Sequence, residues 1–204
     1  TVASVVMAGD KIAAAYLDDY QFMAQIGSVA VPNSEADFGK NYPAGMVLSS
    51  KRANADTYSA NMVAKAKATT PVDKSLDAIQ AYTVGKTVAE LEATLAKNTK
   101  EQMVDAVSGA TLVDTDGYVK AIVAAAKNAK NNASIEVDAA ALKTLKLGKA
   151  ELAAHGTKCF TVAFTAVADG KILATLLEDY QFMAKEGTVA VPNSDADFGK
   201  NYPA

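Results

Sequence analysis

Apolar positions fall at two different spacings along the chain. "TVASVVM" and "KIAAAYLDDYQFM" flank Gly9-Asp10, and "FTVAFTAVA" and "KILATLLEDYQFM" flank Asp169-Gly170. Apolar runs joined by such a pair predict β-hairpins. A further short strand is predicted over "SVAV", ending at Pro32-Asn33. The period then lengthens. Residues Asp56 to Lys67 predict a helix with Tyr58, Met62 and Val63 on one side, and a second begins after Pro71 and carries Leu76, Ile79 and Tyr82. "KTVAELEATLAKN" opens with Thr87 and Glu90 at capping-box spacing, so a third helix starts near Val88. Asp116 to Lys130 predicts a last helix with Tyr118, Ile122, Val123 and Ala126 on one face. "KNAKNN", Lys127 to Asn132, reads as a polar linker. Strands first and helices later indicate an α+β fold: an antiparallel sheet built from hairpins with several packed helices.

Self-comparison adds a repeat. Ala8 to Ala44 returns as Ala168 to Ala204 without a gap, at an offset of about 160 residues and with roughly 27 of 37 positions identical. The match extends upstream, Thr1-Val2-Ala3 corresponding to Thr161-Val162-Ala163. The expectation is a tandem arrangement, with one unit over residues 1–131 that lacks its beginning and the first part of a second over 132–204. Residues Ser134 to Phe160 would then supply strands that the first unit lacks. They could do so within the chain or between copies, and the latter predicts self-association by strand exchange into dimers or filaments.

Bulk numbers narrow the function. A chain of 204 residues, half of them hydrophobic, can bury a core without staples. The single cysteine, Cys159, cannot form an intramolecular disulfide, and its count leaves the compartment open. A net charge of −3 argues against nucleic acid and against an anionic membrane surface. No apolar stretch has the length of a membrane span. "TVASVVM" has no signal-peptide character, so an export signal is expected outside this chain.

Most motifs have a plain reading. Asp37-Phe38-Gly39 stands without the other kinase motifs and reads as a loop. His155, the only histidine, lacks metal-ligand partners at suitable spacing and reads as a core or hydrogen-bonded side chain. Tyr20, Phe22, Phe38 and Tyr42 read as core aromatics. Lys51 and Arg52 in "SSKRAN" read as a solvated turn, with a phosphate contact as the alternative. No Ser-His-Asp or Cys-His set can be assembled. "DAVSGAT", Asp105 to Thr111, stays open between two readings. In one, Ser108 and Gly109 make a turn and Asp114 or Thr115 caps the next helix. In the other, small neighbours expose the Thr111 hydroxyl to a modifying enzyme, and a phosphate ester there would gain from a helix N-terminus.

Asp105, Ser108, Gly109, Ala110 and Thr111 together resemble the flavinylation motif of the bacterial FMN-binding domain family. That family includes the C subunit of the sodium-pumping NADH:quinone reductase and the G subunit of Rnf complexes. "AAHGTKCFTVAFTAVADGKI", "DYQFM", "VPNSEADFGKNYPAG" and "DAIQAYTVGKTVAELE" extend the resemblance over nearly the whole chain. It is greatest to Gram-positive extracellular electron-transfer lipoproteins with tandem FMN-binding domains. The resemblance implies FMN joined through a phosphoester to Thr111, with Asp105, Ser108, Gly109 and Ala110 as the motif read by an FAD- and Mg-dependent flavin transferase. Tyr42, Lys51 and Arg52 are further candidate neighbours of the flavin or its phosphate. It also implies an electron carrier rather than a catalyst. Redox donor and acceptor proteins or small-molecule acceptors would be its partners, in an extracellular or cell-surface setting on a membrane-anchored parent. The alternatives are an accessory flavin module of a larger reductase, or a surface repeat without cofactor.

Overall fold

The computed structural model describes residues 1–201. Residues Tyr202 to Ala204 of the repeated segment lie outside the described residues. Twelve strands and α-helices are arranged as a mixed α+β fold whose strands form three small antiparallel sheets rather than one. Strands β1 (Val2–Ala8) and β2 (Lys11–Asp18) form the first hairpin, and β3 (Tyr20–Ala24) pairs with β4 (Met46–Ser50). Five helices follow: α1 (Ala55–Ala66), α2 (Val72–Thr83), α3 (Val88–Lys97), α4 (Lys100–Ala106) and α5 (Thr115–Ala129). The last sheet has the order β5 (Lys146–Leu152), β6 (Cys159–Ala168), β7 (Lys171–Gln181).

The first hairpin has two covered faces. Side chains alternate across a strand, and the bulge at Ala13 shifts that alternation within β2, so Ala3, Val5, Met7, Ile12 and Leu17 meet α2 to α5 in one core, together with Leu76, Ile79, Leu91, Met103 and Ile122. Val2 and Tyr16 point the other way, into a second core with Phe22, Phe38, Leu48, Phe160, Val162 and Phe164. Rings there pack edge-on, as in Tyr16–Phe164 at 5.8 Å and Phe38–Phe160 at 5.4 Å between centroids. The outer edge of β2 is closed by the α2–α3 connection, where Ile12 N donates to Lys86 O and Gly85 N to Ile12 O.

The predicted helices form within a residue or two of their expected bounds. Thr87 and Glu90 make the reciprocal capping box. A second box, Thr99 with Gln102, starts α4, which periodicity does not reveal because only Met103 of its seven residues is buried. Two expectations change. "SVAV" is not a strand: Val31 N donates to Leu48 O, but the Asn54 side-chain amide takes both Val29 N and Val29 O. One side chain there replaces a neighbouring strand. His155 is exposed, not core, and among the described residues only its carbonyl is engaged, by the Cys159 thiol.

The two copies of the repeat share the hairpin and the turn after it. Asn33 and Asn193 both hold left-handed backbone, φ 63° and 65°. A Cβ on Gly39 or Gly199 would strike the carbonyl oxygen of Ser34 or Ser194, at 1.7 and 1.5 Å. Repetition of the whole fold is not shown: among the described residues, no helical layer covers β6 and β7. Ile172 and Leu177 are therefore 70% and 69% exposed, where Ile12 and Leu17, their counterparts, are both 0%. "DYQFM" also behaves differently in the two copies. In the first, Lys51 N donates to Asp19 O and the run breaks between β2 and β3; in the second it continues β7.

The segment 146–159 packs within the chain on β2, on the start of β3 and on the loop between β3 and β4. Lys149 on β5 pairs with Asp18 and Glu151, at side-chain exposures of 8%, 0% and 15%, and Tyr20 donates to Glu151. Asn33 donates to the carbonyls of Gly156 and Cys159 at 2.7 and 2.6 Å, and Phe38 N donates to Thr157 O at 2.9 Å. In its ladder β5 pairs with β6, so it packs against the β1–β2 hairpin without adding a strand to it.

Candidate functional site

Asp105 to Thr111 closes α4 and forms the connection to α5. Val107 and Ala110 are its anchors, 1% and 5% exposed in the helical core, while Asp105, Ser108, Gly109 and Thr111 are exposed. Ala110 N donates to Val107 O, and Gly109 takes φ +88°, a conformation that glycine adopts without penalty. The loop therefore alternates buried apolar anchors with exposed small or hydroxyl residues. The helix that follows is not capped as expected. Asp114, at the N-cap of α5, makes no side-chain cap and pairs with Lys100 instead, and the Thr115 hydroxyl returns to Leu112 O.

The loop is seated on α2. A Cβ on Gly109 would lie 3.3 Å from Ala78 Cβ, and one turn earlier Ser75 Oγ lies 3.5 Å from Thr111 Oγ1. Ser75 is the fourth residue of α2, so Thr111 stands beside the amino-terminal end of that helix. Pro71 at its N-cap gives no side-chain cap, and Ser59 from α1 accepts from Val72 N at 3.0 Å. The helix dipole and free amides at such an end favour an anion. Asp73 opposes this, and its nearest counter-charge, Lys74, lies 3.4 Å away. A hydroxyl on an exposed residue beside the positive end of a helix fits a tethered phosphate. On the other side, α1 buries none of its residues, and Val63 is 57% exposed.

The remaining candidates are brought less close. Lys51 lies in a buried cluster, 2.6 Å from Asp19, with its ammonium 4.9 Å from the Tyr58 ring centroid. Tyr118 donates to the same carboxylate at 3.1 Å. Burial acts to raise the Asp19 pKa, but the Lys51 ammonium beside it outweighs burial and lowers it. Desolvation works against the Lys51 charge, and the neighbouring acids still raise its pKa. Arg52 spends its guanidinium on Leu17 O, Asp77 and Gln80, under the Tyr16 ring. Tyr42 belongs to the aromatic core, where its ring packs on Phe22 and Phe38 and burial pushes its phenol up to about 12. Lys51 and Arg52 thus border the α1–α2 region with their charges engaged, and Tyr42 packs in the other core.

Sequence reasoning overlooked Ser75. Its signal was available: Val72, Ser75, Leu76 and Ile79 follow the buried stripe of an amphipathic helix, and a polar residue on that stripe needs a partner. Among the described residues, no cluster of three metal-ligating side chains occurs, and no helix is long and apolar enough to cross a membrane. Comparison with protein-family models, with curated proteins and with solved structures finds no match to the chain.

Proposed function

We propose that the chain is an electron-transfer flavoprotein module that carries FMN through a phosphoester on Thr111. The observation that carries this reading is the presentation of Thr111. Its hydroxyl belongs to an exposed residue in a run of small residues, and the run is held by buried Val107 and Ala110. A modifying enzyme needs that combination of access and order. When bound, the flavin supplies the redox chemistry, and the protein supplies attachment, orientation and electrostatics. Ser108 and Asp105 offer polar recognition points on the exposed side, and Gly109 brings the backbone close to α2. The amino-terminal end of α2 supplies favourable potential for the ester's negative charge. A covalent tether suits a carrier outside the cell, where a dissociable cofactor is lost to dilution. We accordingly place the module at the cell surface, exchanging electrons with neighbouring redox proteins or small acceptors.

Intact mass of the denatured protein from its native host, followed by peptide mapping across Glu101 to Lys120, tests the reading. FMN is expected on the peptide after denaturation and absent from Thr111→Ala. Protein that carries no covalent flavin, or that retains it in Thr111→Ala, refutes the assignment.

A further inference from the structure

We infer that Ser75 is a positioning residue for Thr111, a buried hydroxyl on α2 that orders the threonine for flavin transfer. The inference rests on the reading of Thr111 as the attachment point. Ser75 is 0% exposed and sits on the apolar stripe between Val72 and Ile79. Alanine would fill that place with better helix propensity, so packing gives no reason for a serine. A buried hydroxyl is costly unless it is hydrogen-bonded. Among the described residues its partners are both on Thr111: it accepts from Thr111 N at 3.4 Å and lies 3.5 Å from Thr111 Oγ1.

The two contacts fix different things. The amide contact sets the backbone of the motif's last residue, three residues along α2 from the place where Gly109 rests on Ala78. In the hydroxyl contact, Ser75 has one proton to give. When it accepts from the amide and donates to Oγ1, the Thr111 proton is left pointing away from α2. Both contacts lie at the long end of hydrogen-bonding range, so they restrain Thr111 without locking it.

In the transfer step, Thr111 Oγ1 attacks the flavin-side phosphorus of FAD. The bond from that phosphorus to the oxygen of the AMP half breaks, AMP leaves, and the hydroxyl proton passes to a base of the transferase. No electrons are exchanged. Ser75 touches none of the reacting phosphates; it acts through Thr111.

The test uses the whole chain with an FAD- and Mg-dependent flavin transferase, following labelling by intact mass, and compares wild type with Ser75→Ala and Ser75→Cys. The first variant keeps the helix, and the second keeps the size with a weaker hydrogen-bonding group. Hydrogen exchange at the Thr111 amide is measured on unlabelled protein. Loss of one or two neutral hydrogen bonds predicts that kcat falls roughly 5- to 10-fold in both variants. KM should stay within about twofold because the Asp105–Thr111 motif is intact. Faster exchange at Thr111, with α2 and α5 unchanged, should accompany the fall. Unchanged kcat or unchanged Thr111 exchange overturns the inference, as does a rate loss matched by faster exchange throughout the helical core. Wild-type chain that stays unlabelled refutes the reading of Thr111 itself, which separates the two failures.

Discussion

Leu17 and Leu177 are counterparts in the repeated segment, yet one is 0% and the other 69% exposed. Leu17 lies under the helices with Ile12, Leu76 and Ile79. Leu17→Ala removes three buried carbons and leaves a cavity whose walls belong to two layers, which sets the cost at about 3–4 kcal/mol. Leu177→Ala gives up only the buried third of its side chain. Full burial of leucine is worth about 1.5–3 kcal/mol, so this change costs under about 1 kcal/mol. Urea unfolding followed by circular dichroism separates the two. With a slope near 2 kcal/mol/M, Leu17→Ala should lower the midpoint by about 1.5–2 M and Leu177→Ala by less than about 0.5 M. The double variant should show additive losses, since Leu17 lies in the helical core and Leu177 on an exposed strand face outside both cores. Equal shifts would refute the reasoning, because they would mean that the outer face of β7 is covered in solution as well as the inner face of β2.

Three further outcomes follow from the buried polar groups. Lys149→Ala strands the Asp18 carboxylate at 0% exposure and should cost about 3–5 kcal/mol in the same urea assay, with a cost below about 1 kcal/mol counting against a buried pair. Asp19, held below an ordinary value near 3.9 by Lys51, contributes stability that is fully present above about pH 4 and lost as pH falls below that. Asp19→Asn should flatten stability over that window, and an unaltered pH profile would show that the carboxylate is not held down. Ser49 Oγ is buried with no hydrogen-bond partner among the described residues, so Ser49→Ala should leave the thermal midpoint unchanged or raise it, and a clear drop would reveal a hidden partner.

The parts of the fold that could be read from the sequence are those set by neighbours close along the chain. Hairpins at Gly9-Asp10 and Asp169-Gly170, the Thr87–Glu90 cap and the apolar face of α5 all depend on residues a turn or less apart. Distant partners decided the rest. Whether "DYQFM" starts a new strand depends on β4, which pairs with β3 in the first copy and has no counterpart among the described residues for the second. "SVAV" fails as a strand because Asn54, about 25 residues on, supplies the amide that pairs with Val29. At the candidate site, the exposure of Thr111 agrees with its small-residue context. Lys51 and Arg52 could not be judged from "SSKRAN", since Asp19, Asp77 and Gln80 absorb their charges from other elements. Ser75 was readable, as a polar break in an apolar stripe.

The grip of Asn33 on the segment before β6 has a consequence for how the two sides can change. Asn33 needs a left-handed backbone, which few side chains tolerate, and needs two amide hydrogens for the carbonyls of Gly156 and Cys159. Glycine meets the first demand alone, and aspartate cannot donate. The held segment is recognised through its main chain, apart from the Thr157 hydroxyl that donates to Asp37. Selection on this contact is therefore lopsided: drift in the side chains of Ala153 to Lys158 leaves the hold intact wherever Thr157 keeps a hydroxyl and Gly156, with φ +62°, stays glycine, while substitution at Asn33 removes both of its hydrogen bonds.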